Sequence, residues 1–209
     1  MATLPRRLLA LITDIDRAGG VEPLLRIIDE AVRGGVNLVE VRAHALGEPG
    51  LLALAREIVG VVATRAIVVV NGPESVALES GADGVHLPEK SATNRSMISQ
   101  NLIVGRSVHS LESAQTAAAE GVDYVILGTV YPSASHPGGR TVGTELVARV
   151  TAEISIPVIG IGGITAENAG DVVAAGAAGV AVIGAIIEAD NSHEAAVELA
   201  RSVSLQERA

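Results

Sequence analysis

The stretch Gly121-Val122-Asp123-Tyr124-Val125-Ile126 places a glycine directly before a short apolar run, and this arrangement recurs along the chain. Three further copies begin at residues 34, 81 and 176. A glycine in this place is typical of a helix that ends in the left-handed conformation, and the run after it is typical of a strand buried on both faces. Each interval between copies has room for another strand and helix, because a βαβ unit takes roughly 30 residues. Every copy therefore predicts one strand, and every interval predicts one more.

Three apolar segments in the intervals meet that expectation, and a fourth precedes the first copy, which brings the predicted strands to eight. Helical patterns lie between the strands: residues 23–33 carry apolar side chains at helical spacing. Ser110 and Thr165 are typical N-caps, since a side-chain oxygen there accepts from the backbone of the first turn. The four additional strands are expected at residues 8–13, 66–71, 102–109 and 157–163, and the other helices at 111–120, 165–175 and 193–203, with only a short one at 92–100.

Strands that alternate with helices predict an α/β protein with a parallel sheet, which is either a closed barrel or an open doubly wound sheet. Eight regular units in 209 residues favour the barrel. No G-x-G-x-x-G sequence follows the first strand, so the dinucleotide-binding variant of the open sheet is not indicated. We expect a single-domain (β/α)8 TIM barrel that spans residues 1–209.

The composition excludes several kinds of partner. The net charge is −9 and the chain has no Phe or Trp, so neither a basic stripe nor an aromatic stacking platform for nucleic acid is expected. No apolar run approaches the roughly 18 residues that span a bilayer, and a cytoplasmic location without a membrane partner is expected. The absence of cysteine excludes disulfides and thiolate metal sites. Barrels of this size often dimerise, which leaves a homodimer open.

The last two predicted strands end in glycine-containing sequences that predict a phosphate site. Ile159-Gly160-Ile161-Gly162-Gly163-Ile164-Thr165 ends one strand, and Val182-Ile183-Gly184-Ala185-Ile186 ends the next. Barrels often bind phosphate between these two loops, where exposed backbone N–H groups can donate to an anion. The alternative is that the glycines only allow close strand–helix packing. We expect Gly162, Gly163, Ile183 and Gly184 to bind a phosphate.

Polar residues at the ends of the other strands are the remaining candidates, because barrel active sites form at that face. The longest polar loop, residues 133–140, offers Ser133, Ser135 and His136, although an ordinary surface loop would look similar. His86 lies inside an apolar strand and is more consistent with a core histidine than with a base. His44 and His136 fall in loops of the site, where a histidine can serve as acid or base. The other candidates are Glu40, Arg42, Asn71, Ser107 and Thr129.

Several of these stretches together resemble the thiamine phosphate synthases and their TenI-type relatives, the thiazole tautomerases. The resemblance covers about residues 8–187, and the matching stretches are residues 35–42, 81–87, 105–109, 123–125, 133–136, 159–165 and 179–182. It implies a substrate that is a small phosphorylated thiazole. The synthase couples this thiazole phosphate to a hydroxymethylpyrimidine pyrophosphate with the help of Mg²⁺.

The half of the synthase pattern that holds the thiazole phosphate is kept. Hydroxyl residues stand at Ser133 and Ser135, and the phosphate-binding backbone corresponds to Gly163, Ile183 and Gly184. Arg42, Asn71 and Ser107 also match the family pattern.

The half that holds the pyrophosphate departs from the pattern. The synthase sequence Gln-x-Arg-x-Lys corresponds to Glu40-Val41-Arg42-Ala43-His44, and His136 replaces a lysine. The two carboxylates that hold magnesium correspond to Gly72 and Ser91. Metal and cationic groups supply much of the catalysis in a displacement of this kind. We therefore expect no metal site and no cofactor, with Mg²⁺ involved only if the protein is a synthase after all.

The stretches at residues 105–112 and 87–90 look more like the tautomerase branch. The main prediction is accordingly a TenI-like isomerase, which aromatises a carboxylated thiazole phosphate in thiamine biosynthesis by metal-free proton transfer. His136 is the first candidate for the proton-transfer group, followed by Glu40 and His44. One departure is that Thr129 stands where this branch has a histidine. The alternatives are a thiamine phosphate synthase and a non-catalytic regulator that binds a thiazole or thiamine phosphate.

Overall fold

Eight parallel strands form a closed barrel in which each strand pairs with the next and the last pairs with the first. The computed structural model describes residues 3–43, 45–133 and 141–204. The predicted (β/α)8 barrel is confirmed, and both the glycine-marked strands and the strands inferred between them are present. The strands are β1 Leu8–Ile12, β2 Leu38–Val41, β3 Ile67–Val70, β4 Gly84–Leu87, β5 Ile103–Val108, β6 Tyr124–Gly128, β7 Val158–Ile161 and β8 Gly179–Val182.

Helices follow the strands and cover the outside of the sheet. No helix in the described ranges is both long and apolar enough to cross a membrane. A 3-10 turn at Arg95–Met97 occupies the segment 92–100, where the sequence predicted a short helix. The helices are α1 Ile15–Ala18, α2 Val21–Arg33, α3 Glu48–Val62, α4 Glu74–Ser80, α5 Leu111–Ala119, α6 Gly143–Glu153, α7 Ala169–Ala174, α8 Gly184–Ile187 and α9 Ser192–Ser204.

The predicted helix starts are correct at one position and wrong at another. Ser110 caps α5 through a capping box in which its side chain accepts from the backbone N–H of Ser113. Thr165 does not cap α7, which begins four residues later than expected. The side chain of Asn168 explains this, because its Oδ1 accepts from the backbone N–H of Thr165 and its Nδ2 donates to the carbonyl of Gly163. The segment after β7 is therefore a tight polar turn that precedes the helix.

The glycines that open the repeat behave as predicted in three copies. Gly81, Gly121 and Gly176 have φ angles of +78°, +80° and +100°, which side chains rarely adopt. In the first copy Gly34 is right-handed, and the neighbouring Gly35, with φ of +118°, makes the turn instead.

Apolar side chains form two separate cores, one between the sheet and the helices and one inside the barrel. The inner core consists mainly of branched aliphatic residues, and the buried Tyr124 is its one large aromatic side chain in the described part of the chain. A Cβ on Gly105 would lie 2.1 Å from Cζ of Tyr124, so the phenol ring lies directly across this glycine. The barrel can hold Tyr124 only because β5 carries no side chain at that level.

Glycine is also required where β8 closes the barrel against β1. Leu8 pairs with Gly179, and a Cβ on Gly179 would lie 1.8 Å from the carbonyl oxygen of Leu8. Gly60 in α3 is the opposite case, because it is exposed and a Cβ there would meet no atom within 4 Å.

These two glycines predict opposite effects for the same substitution. Gly60→Ala should raise the free energy of unfolding by about 0.5–1 kcal/mol, because alanine restricts the unfolded chain and favours the helix. Gly179→Ala should lower the free energy of unfolding by about 1–3 kcal/mol, because the strands would have to separate to admit a methyl group. Urea unfolding of both variants measures the difference. Equal stability of the two variants would contradict this account of the closure.

Candidate functional site

A cavity of about 1540 Å³ opens at the carboxyl ends of the strands, the face where barrel sites form. The predicted residues His44, Ser135 and His136 lie outside the described residues, as does Arg140 of the same loop. Every other predicted site residue lines this cavity, although its role in binding or catalysis stays a prediction. These residues are Glu40, Arg42, Asn71, Ser107, Thr129, Ser133, Gly162, Gly163, Ile183 and Gly184.

The glycines after β7 allow two segments of backbone to approach closely. Gly162 and Gly163 have φ angles of +103° and +61°. A Cβ on Gly163 would lie 2.3 Å from the carbonyl oxygen of Pro132, and one on Gly162 would lie 2.4 Å from Cγ2 of Thr129. The carbonyl of Gly162 accepts a hydrogen bond from the backbone N–H of Tyr131 at 3.0 Å. Packing thus explains why these residues are glycines, as the alternative interpretation of the sequence held.

Packing does not use all of the polar backbone in this region. Within the described part of the chain, the N–H groups of Gly163 and Gly184 donate no hydrogen bond to the protein. Both residues line the cavity, so their N–H groups are available to an anion. The packing interpretation and the phosphate interpretation of these glycines are therefore compatible.

Arg17 brings a guanidinium group to the same end of the barrel, where it is paired with Glu188 and Asp14. Its Nη1 lies 2.7 Å from Oε1 of Glu188, and both side chains line the cavity beside Gly184. A Cβ on Gly184 would lie 3.2 Å from Nη1 of Arg17 and 2.7 Å from Oε2 of Glu188. Sequence reasoning missed Arg17, because it considered residues directly after strand ends and Arg17 lies in α1.

Arg42 is anchored through its backbone. The hydroxyl of the buried Thr13 accepts from the N–H of Arg42 at 2.8 Å and donates to its carbonyl at 3.0 Å. This pair of hydrogen bonds ties the end of β2 to the end of β1. The side chain of Arg42 is left to line the cavity.

Glu40 is a buried carboxylate with one oxygen that the protein does not satisfy. Its side chain is 2% exposed, and Oε1 accepts from Nδ2 of Asn71 at 2.8 Å. Oε2 has no hydrogen-bond partner among the described residues, and the nearest basic atom is Nδ1 of His86 at 3.8 Å. An unpaired buried charge is costly. The arrangement is therefore that of a group kept for a ligand or a proton.

His86 is buried and both of its ring nitrogens have partners, as the prediction of a core histidine implies. Nδ1 lies 3.1 Å from the hydroxyl of Tyr124, and Nε2 lies 2.9 Å from Oγ of Ser107. Burial lowers the pKa of His86 and outweighs the opposing attraction of Glu40, so the ring is neutral near pH 7. Burial and the charge of Glu40 both raise the pKa of Tyr124 well above its usual range.

A second histidine contributes to the rim of the cavity. Nδ1 of His109 lies 3.1 Å from Oε2 of Glu89, and the backbone N–H of His109 donates to Oε1 of Glu89 at 2.9 Å. Burial alone would raise the pKa of Glu89, but hydrogen bonds from Ser113 and His109 outweigh it and lower the pKa. His109 thus joins the end of β5 to the loop after β4.

The described residues do not fit the magnesium ion that the resemblance implies for a synthase. No group of three or more carboxylate, histidine or cysteine side chains in the described ranges could hold a metal. One position of the synthase's carboxylate pair is Gly72, where a Cβ would lie 2.6 Å from Cδ2 of Leu51. A side chain at this position would therefore have to displace the end of the Leu51 side chain.

Comparison with known proteins agrees with the fold and shows the family. The family model described as thiamine monophosphate synthase matches residues 9–186. A protein of Geobacter sulfurreducens named putative thiamine-phosphate synthase is 40% identical over 193 residues, which are 90% of each chain. The thiamine-phosphate synthase of Chlorobium luteolum is 34% identical and covers 92% of this chain and 91% of its own.

A solved structure gives the same result. The thiamine phosphate pyrophosphorylase of Pyrococcus furiosus superposes with a TM-score of 0.85 at 30% identity and covers 96% of both chains. These names favour the synthase alternative over the tautomerase that the sequence led us to expect. With the match spanning nearly all of the barrel, the chain belongs to the thiamine monophosphate synthase family.

Proposed function

We propose that the protein is a transferase of the synthase type, which joins a thiazole phosphate to a pyrimidine pyrophosphate. The similarity to proteins named thiamine-phosphate synthase supports this proposal, and the volume of the cavity agrees with it. Sites for one drug-sized ligand usually measure about 300–1,000 Å³, whereas this cavity measures about 1540 Å³. That space suits two substrates held side by side, which a coupling reaction requires and a unimolecular isomerisation does not.

The two substrates would lie on opposite sides of the cavity. The thiazole phosphate binds to the free N–H groups of Gly163 and Gly184, with the charge of Arg17 nearby. The pyrimidine pyrophosphate binds towards β2 and β5. Arg42 and Ser107 line that side, and a guanidinium group can bind phosphoryl oxygens through two parallel hydrogen bonds.

In the coupling step, the thiazole nitrogen attacks the methylene carbon of the pyrimidine. A carbon–nitrogen bond forms, and the carbon–oxygen bond to pyrophosphate breaks with its electron pair leaving on the pyrophosphate. The protein contributes by aligning the two reacting atoms and by stabilising the charge that develops on the leaving group. The described residues supply Arg42 and Ser107 for this purpose.

Thiazole tautomerisation is a second candidate, and Glu40 is the observation that favours it. That reaction moves a proton within a carboxylated thiazole phosphate and needs a group that accepts and returns it. Glu40 lines the cavity, and its Oε2 is buried without a hydrogen-bond partner among the described residues. In the synthase pattern a neutral amide stands at this position. A negative charge there suits proton transfer better than it suits pyrophosphate binding.

The substitution Glu40→Gln separates the two candidates because it should move their activities in opposite directions. For a synthase, removing a negative charge beside pyrophosphate should raise kcat/KM for coupling about tenfold. For a tautomerase that uses Glu40, loss of the proton-transfer group should lower the rate of ring aromatisation about 100-fold or more. Asn71 can still donate to the amide oxygen, so the fold should be retained.

Both activities should be measured on each protein, and coupling should be measured with and without Mg²⁺. Glu198→Gln on the exposed face of α9 makes the same charge change away from the cavity and is the matched control. Absence of coupling product under both conditions would end the synthase proposal. If neither product forms but the protein still binds the thiazole phosphate, the result would favour the non-catalytic regulator.

The substitution Gly184→Ala tests the phosphate anchor. A methyl group at this position would lie on the backbone that binds the phosphate, and its nearest neighbours are the flexible ends of Glu188 and Arg17. We expect the dissociation constant for the thiazole phosphate to rise about tenfold, in line with the loss of one or two charge-assisted hydrogen bonds. The Gly60→Ala variant, altered in α3, serves as the control. Unchanged binding by the Gly184→Ala variant would mean that the phosphate binds elsewhere in the cavity.

A further inference from the structure

Three polar side chains form a connected path from the inner core of the barrel to the cavity. Tyr124 is fully buried and does not line the cavity, His86 is 1% exposed, and Ser107 lies in the cavity wall. The hydroxyl of Tyr124 lies 3.1 Å from Nδ1 of His86, and Nε2 of His86 lies 2.9 Å from Oγ of Ser107. The proposed function uses only the last of these three groups.

The register of the strands makes this path possible. Tyr124 on β6 pairs with Gly105 on β5, and Gly105 pairs with His86 on β4. The phenol reaches across the intervening strand because Gly105 has no side chain, and a Cβ there would lie 2.4 Å from the Tyr124 hydroxyl. Ser107 follows two residues after Gly105 on the same strand, so its side chain faces the same interior.

The direction of the first hydrogen bond follows from the protonation of Tyr124. Its high pKa keeps the hydroxyl protonated at neutral pH. A buried O–H group requires an acceptor, and within the described ranges Nδ1 of His86 is the hydrogen-bond partner of this hydroxyl. Tyr124 therefore donates, and Nδ1 accepts.

The direction of the second hydrogen bond follows from the first. A neutral imidazole carries one proton, and if Nδ1 accepts then that proton is on Nε2. Nε2 then donates to Oγ of Ser107. The proton of Ser107 consequently points away from His86, and Ser107 can donate it to a ligand in the cavity.

We infer that Tyr124 and His86 are positioning residues, which orient the hydroxyl of Ser107 as a hydrogen-bond donor to a phosphoryl oxygen of the bound substrate. The inference rests on the proposed function for the identity of that substrate. The orientation itself does not depend on the identity of the ligand.

Glu40 defines the competing arrangement. Its unpartnered Oε2 lies 3.8 Å from Nδ1 of His86. A proton on Nδ1 would be attracted to this carboxylate, and Nε2 would then accept from Ser107. The hydroxyl of Ser107 would be turned into the core and would present only an oxygen to the ligand.

Nitrogen-15 NMR of the labelled protein distinguishes the two arrangements. Two-bond proton–nitrogen correlations identify which ring nitrogen of a histidine carries the proton, and the Tyr124→Phe variant assigns His86 among the five histidines of the chain. The inference requires a neutral ring with its proton on Nε2 at pH 7. A proton on Nδ1, or on both nitrogens, would overturn it.

Calorimetric titration with inorganic phosphate and with inorganic pyrophosphate, at fixed ionic strength, measures how the orientation of Ser107 affects ligand binding. We expect Ser107→Ala to weaken binding of one of the two anions about tenfold, and Tyr124→Phe to weaken it about threefold, in the range of single neutral hydrogen bonds. In the double variant the tyrosine substitution should add nothing, because the group that it orients is gone. Tyr131→Phe makes the same chemical change at a residue that does not line the cavity.

The outcomes separate this inference from the proposed function. Equal weakening by Tyr124→Phe in the presence and absence of Ser107 would mean a general structural effect and would overturn the inference. If the wild-type protein bound neither anion, the proposed function would lose its phosphate and pyrophosphate sites. The NMR experiment would still decide the orientation of Ser107, since it needs no ligand.

Discussion

The closure of the sheet between β1 and β8 is the constraint on which the rest of the structure depends. Leu8 can pair with Gly179 only because the two backbones approach too closely for any side chain at the glycine. Closure gathers the carboxyl ends of all eight strands into one ring. Groups that are far apart in the chain then become neighbours, as Arg17 and Glu188 do at 2.7 Å. The cavity, its charges and its anchor all follow from that ring.

The barrel could be predicted from the sequence because several glycines mark the turns that precede its strands. At Gly81 and Gly121 a left-handed turn must precede each buried strand, and few other residues make that turn. The start of α7 could not be predicted, because it depends on the side chain of Asn168 bonding to Gly163 and Thr165. Local patterns predict the regular elements, whereas such bonds depend on the folded loop.

The candidate site was predictable to the extent that it follows strand ends. That rule selected Glu40, Asn71 and Ser107, which line the cavity, but not Arg17, which belongs to a helix. Tyr124 was also missed, since nothing in a run of apolar residues shows that a hydroxyl reaches a histidine two strands away. The departures from the synthase pattern gain a physical meaning in the structure. At one of them, Gly72, Leu51 of the outer core lies against the backbone, and a Cβ there would come within 2.6 Å of its Cδ2.

Gly105 has a consequence for how sequences of this barrel can diverge. The phenol of Tyr124 occupies the volume that any larger residue at position 105 would need. The two positions are therefore expected to covary: a relative with a side chain at 105 should have a smaller residue at 124, and its histidine at 86 would need a different hydrogen-bond donor. Variation at a single glycine would in this way record whether the polar path inside the barrel has been kept.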